Sequence, residues 1–340
     1  MKNNNKGEIM NNLKKVGLTA LAGSLAAVSA NAVEMAVSGA SVLTYTNAGP
    51  SEVTGNPFGM KTNLSFTASG DVNGYTVSYM QTSADQFAGM TSARMSIDLG
   101  DMGTVAYDQG SGSGLSTIDD MTPTAGEEIW DGMNTSGTGD ANGLVGASSS
   151  GALNYVNSVM GVGVNVSYLP GSATNNADGG NSGDGNGGDS WDVAVTGSGS
   201  TFGMEGLSAG VGYGDLANGS ATNDDHYTVF ANYSVGMVTV GLQRSGINRG
   251  AIAATNEQTT AAGIAANIND NLSVSYGKRT VDYNEDSANS ANVQEVGSGF
   301  NVAYTMGSAK VVVTRNEVTG NGGTAASSDE NTEVALSFAF

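Results

Sequence analysis

Apolar and polar residues alternate one for one along most of the chain. Thr62, Leu64, Phe66 and Ala68 interleave with Lys61, Asn63, Ser65 and Thr67. The same period recurs at Tyr75/Val77/Tyr79, Val162/Val164/Val166/Tyr168 and Tyr227/Val229/Ala231/Tyr233. Leu272/Val274/Tyr276 and Phe300/Val302/Tyr304 repeat it again. Successive strand residues point to opposite faces, whereas a helix would place apolar residues at i, i+3 and i+4. The residues between are Ser, Thr, Asn and Gly rather than the Lys and Glu of a solvated sheet. Both faces are therefore weakly marked, as expected of a barrel with lipid outside and water inside.

The alternation predicts sixteen strands, near 35–45, 59–69, 74–82, 90–99, 102–108, 151–159, 161–169, 191–198, 206–214, 226–235, 237–245, 258–268, 271–281, 298–306, 309–317 and 331–340. Connections after even strands are short, the stretch at 199–205 being the longest. Those after odd strands are long, above all 109–150. Tight turns at one end of every hairpin and long loops at the other are the form of an outer-membrane barrel. A soluble sandwich has no reason to gather its long loops on one side. The fold class read from the sequence is an all-β, 16-stranded antiparallel transmembrane β-barrel. A long loop follows strand 5.

Composition narrows the classes further. The chain has 340 residues, 51 of them Gly, with no Cys and one His, and 13% charged residues. Disulfide scaffolds and thiolate metal sites are excluded, and the Gly content has no collagen period. Acidic residues outnumber basic ones 32 to 12, so nucleic acid is not an expected partner. A water-filled lumen accounts for the low hydrophobic fraction, because inward side chains need only be wettable. At sixteen strands a barrel holds an aqueous channel, whereas at about eight its side chains fill it. Tyr75, Tyr79, Tyr107, Tyr155, Tyr168, Tyr213, Tyr233, Tyr276 and Tyr304 fall near strand ends. They suit an interfacial girdle with the ring in the apolar layer and the hydroxyl wet.

At the N-terminal end, Lys14 and Lys15 precede the apolar stretch Val16–Val28, and Ala30-Asn31-Ala32 follows. This order reads as a secretory signal, cleaved after residue 32. Met10 is a second possible start. Two parts are expected: a signal peptide at 1–32 and a barrel at 33–340. Removing residues 1–32, with their four lysines and one glutamate, leaves 8 basic and 31 acidic residues. The net charge becomes −23, against −20 for the whole chain.

In the last strand, Val334, Leu336, Phe338 and Phe340 share one face, and pairing it with the first strand would close the sheet and remove both edges. The signal peptide, the sixteen-strand alternation, this aromatic strand and the long loop after strand 5 together resemble the general-diffusion porins of Gram-negative bacteria. The resemblance covers residues 33–340 through pattern more than through any fixed motif. It implies an outer-membrane channel, not an enzyme, for passive diffusion of small hydrophilic solutes and ions. It also implies a homotrimer packed through strands near the termini. Membrane lipid and lipopolysaccharide are the implied surroundings, and the barrel-assembly machinery would read Phe340 and Phe338.

By the same resemblance the 109–150 segment would narrow the pore, setting Asp119, Asp120, Glu127, Glu128 and Asp131 against a basic wall. Lys61 and Arg94 lead that wall, because their neighbours Thr62/Leu64/Phe66 and Met95/Ile97/Leu99 occupy the opposite face. Arg244, Arg279 and Arg315, with Lys278 and Lys310, are further candidates near strand ends. The acidic balance points to cation preference. A solvated external loop with scattered charges is the plainer alternative for 109–150.

Other chemistry is sparse. Asp178, Asp184 and Asp189 lie in a Gly/Asn-rich loop with the oxygen donors calcium favours, but without helix-loop-helix spacing. No cofactor is otherwise expected. Gly110–Gly114 is no phosphate loop, since no helix is expected to follow it. His226 beside Asp224 and Asp225 leaves a barrel hydrolase as one rival, although no nucleophile signal accompanies it. A secreted Gly/Asn-rich adhesive protein is the other.

Overall fold

A computed structural model describes residues 34–48, 56–83, 90–112, 114–130, 132–133, 144, 146–147, 151–171, 188–218, 222–250, 256–283 and 293–340. The signal-peptide reading at 1–32 and the candidates Asp131, Asp178 and Asp184 lie outside these residues.

Sixteen strands form one closed antiparallel barrel, each paired with its sequence neighbours and the last with the first. In chain order they are β1 (Glu34–Ala48), β2 (Phe58–Val72), β3 (Tyr75–Ser83), β4 (Met90–Asp98), β5 (Thr104–Gln109), β6 (Ala152–Val159), β7 (Val162–Leu169) and β8 (Ser190–Ser198). The second half comprises β9 (Leu207–Leu216), β10 (Asp224–Val235), β11 (Val238–Asn248), β12 (Glu257–Asn267), β13 (Leu272–Tyr283), β14 (Glu295–Met306), β15 (Ala309–Thr319) and β16 (Ser328–Ala339). Closure runs from Ala40 opposite Ala339 to Ala48 opposite Asn331. Beyond it, Gly39 and Phe340 exchange two backbone hydrogen bonds of 2.9 Å. Neither outer strand is left with an open edge.

The short ends are built by turn chemistry. Asn73-Gly74 and Met160-Gly161 both take positive φ at the two central positions, which matches the twist of a two-residue hairpin. A single helical turn, Gly199–Phe202, fills the longest connection at that end. The other end carries every long connection.

The two faces of the wall differ as the alternation requires. Outside lie Val37, Met60, Phe66, Ile97, Val211, Val229, Leu242, Ile264, Val302 and Leu336, all exposed. Aromatics mark both rims of this apolar band. Near the long connections Tyr45 packs edge-on against Phe58 at 5.4 Å, and Trp191 lies tilted against Tyr213 at 5.6 Å. Tyr75, Tyr233, Tyr304 and Phe338 mark the rim near the short turns. On the opposite face, Asp108, Asn154, Ser167, Asp192, Gln243, Asn301, Asn316 and Asn331 are buried. That face is not uniformly wet. Leu115, Ile118, Leu144, Ala194 and Phe230 form a small apolar cluster on it, with Met121 packed alongside. Phe230 stands in the polar phase of β10, between Val229 and Ala231, where the expectation of a lumen without dry packing had no place for it.

Candidate functional site

Residues 110–151 connect β5 to β6, and their described part lies along the polar face of the wall. A short 3₁₀ turn, Gly114–Thr117, begins the contact. Gly114 N donates to Asn165 Oδ1 at 2.9 Å, and Leu115 N donates to Asp192 Oδ1 at 2.9 Å. Farther along, Gln243 forms a clamp. Its Nε2 donates to the carbonyls of Ile118 (3.0 Å) and Asp119 (2.8 Å), and its Oε1 accepts from Met121 N at 2.6 Å. Asn232 Nδ2 donates to the Met121 carbonyl at 2.7 Å. Ser275 Oγ then accepts from Ala125 N at 2.9 Å. Asn301 and Asn316 each donate to a carbonyl, of Glu127 and Glu128 respectively, at 2.9 Å. The segment thus reaches from β7 to β15 within some fifteen residues. Every wall partner faces away from the apolar exterior, so the path runs through the interior.

Glycine makes the close approach possible. A Cβ at Gly263 would sit 2.8 Å from the Pro123 carbonyl oxygen, and one at Gly241 would sit 2.4 Å from Pro123 Cδ. The backbone of the segment occupies the volume that side chains of β11 and β12 would otherwise fill. Beyond Ile129, the Arg279 guanidinium lies 5.2 Å from the Trp130 ring centroid. The same guanidinium pairs with Glu295, whose other oxygen accepts from the Tyr283 hydroxyl at 2.9 Å.

The structure brings Asp119, Asp120 and Glu128 together on this segment. Burial, then the Glu128 carboxylate, pushes the Asp120 carboxyl up to about 7. A hydrogen bond between the two side chains accompanies this shift. Asp119 is raised as well, mainly by burial and in smaller part by Glu128. Glu127 contributes its carbonyl to Asn301 and to the Thr124 hydroxyl at 2.8 Å.

Lys61 and Arg94 face the interior. Lys61 stands opposite Val42, which packs on the inner cluster of Ala303, Val312 and Ala335. Arg94 pairs with Asp108 at 3.2 Å and donates to Asn154 Oδ1 at 2.7 Å. In the ring, β4 is eight places from β12, so Arg94 stands across the barrel from Pro123. Arg279 is also inward, buried beneath Trp130.

Arg244 and Arg315 are not part of an inner basic wall. Arg244 shares the exposed face of β11 with Val240 and Leu242 and bonds Gln258. Arg315 shares the outer face of β15 with Val311, Val313 and Glu317, and it pairs with Glu330 at 2.6 Å. Lys278 likewise stands on the face of Tyr276. A one-residue shift of phase inverts a strand side chain, and single charges near strand ends do not fix the phase from sequence. Asp189, the described member of the calcium candidates, accepts from the Tyr168 hydroxyl at 2.9 Å and from Gly171 N at 2.8 Å. These bonds hold its carboxyl below the usual range. Among the described residues no three His, Asp or Glu side chains come together as a metal site. His226 is buried on the inner face of β10.

The anchors Asn165, Asp192, Gln243, Ser275, Asn301 and Asn316 were not singled out from sequence. Their signal is faint: amides, a hydroxyl and a carboxylate in the inward phase, opposite a Gly-rich segment that carries Leu115, Ile118 and Ile129.

No family model matches the chain, and no curated protein matches it. Solved structures do. An anion-selective porin from Comamonas acidovorans superposes with a TM-score of 0.62 at 15% identity, over 91% of this chain and all of that one. The in-vitro-folded, trimeric form of OmpT, an outer membrane protein of Vibrio cholerae, gives 0.62 at 13% over 91% and 100%. A variant of the Rh. blastica porin gives 0.59 at 16% over 90% and 100%. The chain has the fold of these barrels.

Proposed function

We propose that the chain is an outer-membrane porin, a water-filled channel through which small hydrophilic solutes and ions diffuse passively. The observation that carries this reading is the closed ring of sixteen strands with an apolar, aromatic-rimmed exterior and a polar interior. Such a ring is wide enough to remain open. On this reading the segment from Gly114 to Trp130 narrows it from one side, and Asp119, Asp120 and Glu128 on that segment are set against the wall carrying Lys61 and Arg94. Opposed charges across a narrow lumen orient polar solutes and bias ion passage. The net −23 of residues 33–340 supports cation preference, in contrast to the anion-selective Comamonas porin. Export through a signal peptide at 1–32 and assembly as a homotrimer complete the reading. The trimer is supported by the trimeric form of the Vibrio barrel.

Liposome swelling tests the channel. Vesicles carrying the refolded protein should swell in isotonic pentose, hexose and disaccharide at rates that fall with solute size. Swelling no faster than in protein-free vesicles, from protein shown to be folded, would overturn the proposal.

A further inference from the structure

The short-turn end of the barrel carries a feature that solute passage does not use. Of its seven connections, five hold or adjoin an exposed methionine. Met102 stands between β4 and β5, Met160 between β6 and β7, Met204 between β8 and β9, and Met237 between β10 and β11. Met306 ends β14 beside the turn to β15. Met160 is 95% exposed, and the other four are between 52% and 59% exposed. These thioethers lie outside the apolar band. Met306 falls two residues beyond Tyr304. The Tyr155 hydroxyl, the wet end of that ring, donates to the Met102 carbonyl at 2.9 Å. Asp101 precedes Met102 and Glu205 follows Met204, both exposed, and carboxylates keep such turns out of hydrocarbon.

Backbone geometry gives Met160 no reason to be where it is. Asn73-Gly74 and Met160-Gly161 make the same kind of turn, with φ of 56° at Asn73 and 55° at Met160. Asn suits that left-handed position, and a long apolar side chain does not. An interfacial anchor would be Tyr or Trp, as in the girdle. What methionine brings instead is a soft sulfur, which oxidants convert to a sulfoxide and reductases restore. Three other methionines are placed differently. Met60 and Met95, 53% and 55% exposed on the bare barrel, lie on the outer wall in β2 and β4. Met121 packs on the apolar cluster of the crossing segment, where a sulfoxide would put a polar group in a dry site.

We propose that the short-turn rim is a methionine-oxidation site. Its five thioethers take chlorine oxidants to sulfoxide before Met60, Met95 or Met121 does. In the step, the sulfur lone pair attacks the chlorine of a chloramine, and the N–Cl bond breaks. Water then adds its oxygen to sulfur, chloride leaves, and both water protons end on the released amine. Sulfur loses two electrons and chlorine gains them. The inference needs the barrel to sit in a membrane and does not need it to conduct.

Peptide mapping by mass spectrometry tests it on the refolded full barrel in nanodiscs of saturated phosphatidylcholine. Taurine chloramine, a membrane-impermeant anion, is added up to one equivalent per rim sulfur. One-oxygen mass gains should appear at Met102, Met160, Met204, Met237 and Met306 while Met60, Met95 and Met121 stay unmodified. Met160→Asn should lose its mass gain with no fall in melting temperature, because Asn suits the turn. A lower melting temperature would show that the Met160 side chain packs on a neighbour and would remove it from the site. Oxidation of Met60 and Met95 alongside the rim, at the same bare exposure, would overturn the proposal. So would rim sulfurs as well protected as those two, since the rim would then lie in lipid. Mapping reads the site without current, so a barrel that fails to conduct refutes the channel alone, and a conducting barrel oxidised evenly refutes the rim alone.

Discussion

Replacing Gln243 with Leu keeps a side chain of similar size on the inner wall and removes every polar contact it makes with the crossing segment. The Met121 amide loses its acceptor, and the carbonyls of Ile118 and Asp119 lose their donor. At about 1 kcal/mol net for each hydrogen bond, the segment's attachment weakens by about 3 kcal/mol. That corresponds to a shift on the order of 10²-fold in the equilibrium between attached and detached states. Local openings of this kind are read by amide exchange. In the folded barrel, the Met121 amide should therefore exchange on the order of 10²-fold faster in Gln243→Leu. Amides in the β10–β11 ladder should keep their protection. Gln258→Leu, on the outer face, should leave Met121 unchanged. If Met121 keeps its original protection in the Gln243 variant, the amide clamp contributes little. The apolar cluster of Leu115, Ile118 and Phe230 would then hold the segment alone.

Three further outcomes are expected. Asp120, raised from 3.8 to about 7, keeps its proton in the folded chain where the unfolded chain has lost it. Its contribution to stability is complete below about pH 4 and is lost as pH rises through 7. The added charge should raise cation preference between pH 6 and 8, and Asp120→Asn should flatten that rise in reversal-potential measurements; an equally steep rise in the variant would clear Asp120. Gly263→Val places side-chain atoms where the Pro123 backbone lies, so the segment must move off the wall and single-channel conductance should fall; unchanged conductance would mean that β12 yields instead. Arg94→Gln removes a cation across the barrel from the segment and leaves Asp108 without its 3.2 Å partner, so the reversal potential should move towards cations. An unchanged potential would place Arg94 away from the ion path.

The strands were legible because their physics is local. Lipid on one side and water on the other force an alternation that Val162–Tyr168 or Tyr227–Tyr233 displays within a few residues. The long connection was legible as a length of chain between β5 and β6. Its route along the wall was not, because that route depends on contacts between residues more than a hundred positions apart, such as Gln243 with Met121. Arg244 and Arg315 show the same limit in another form. Each belongs to a strand correctly placed in sequence, yet the face it occupies is fixed by register with neighbours rather than by its own charge. Phe230 was hidden for a related reason: an aromatic in the polar phase makes sense only once Leu115 and Ile118 are seen to land on it.

The central claim is that an open, acidic lumen crosses this barrel. Single-channel recording of refolded residues 33–340 in a planar bilayer, under a salt gradient, addresses it directly. Large, stable conductance steps with a cation-directed reversal potential are expected. Stable steps with an anion-directed potential would hand control of the lumen to Lys61 and Arg94. A folded, inserted barrel that passes no current would contradict the claim.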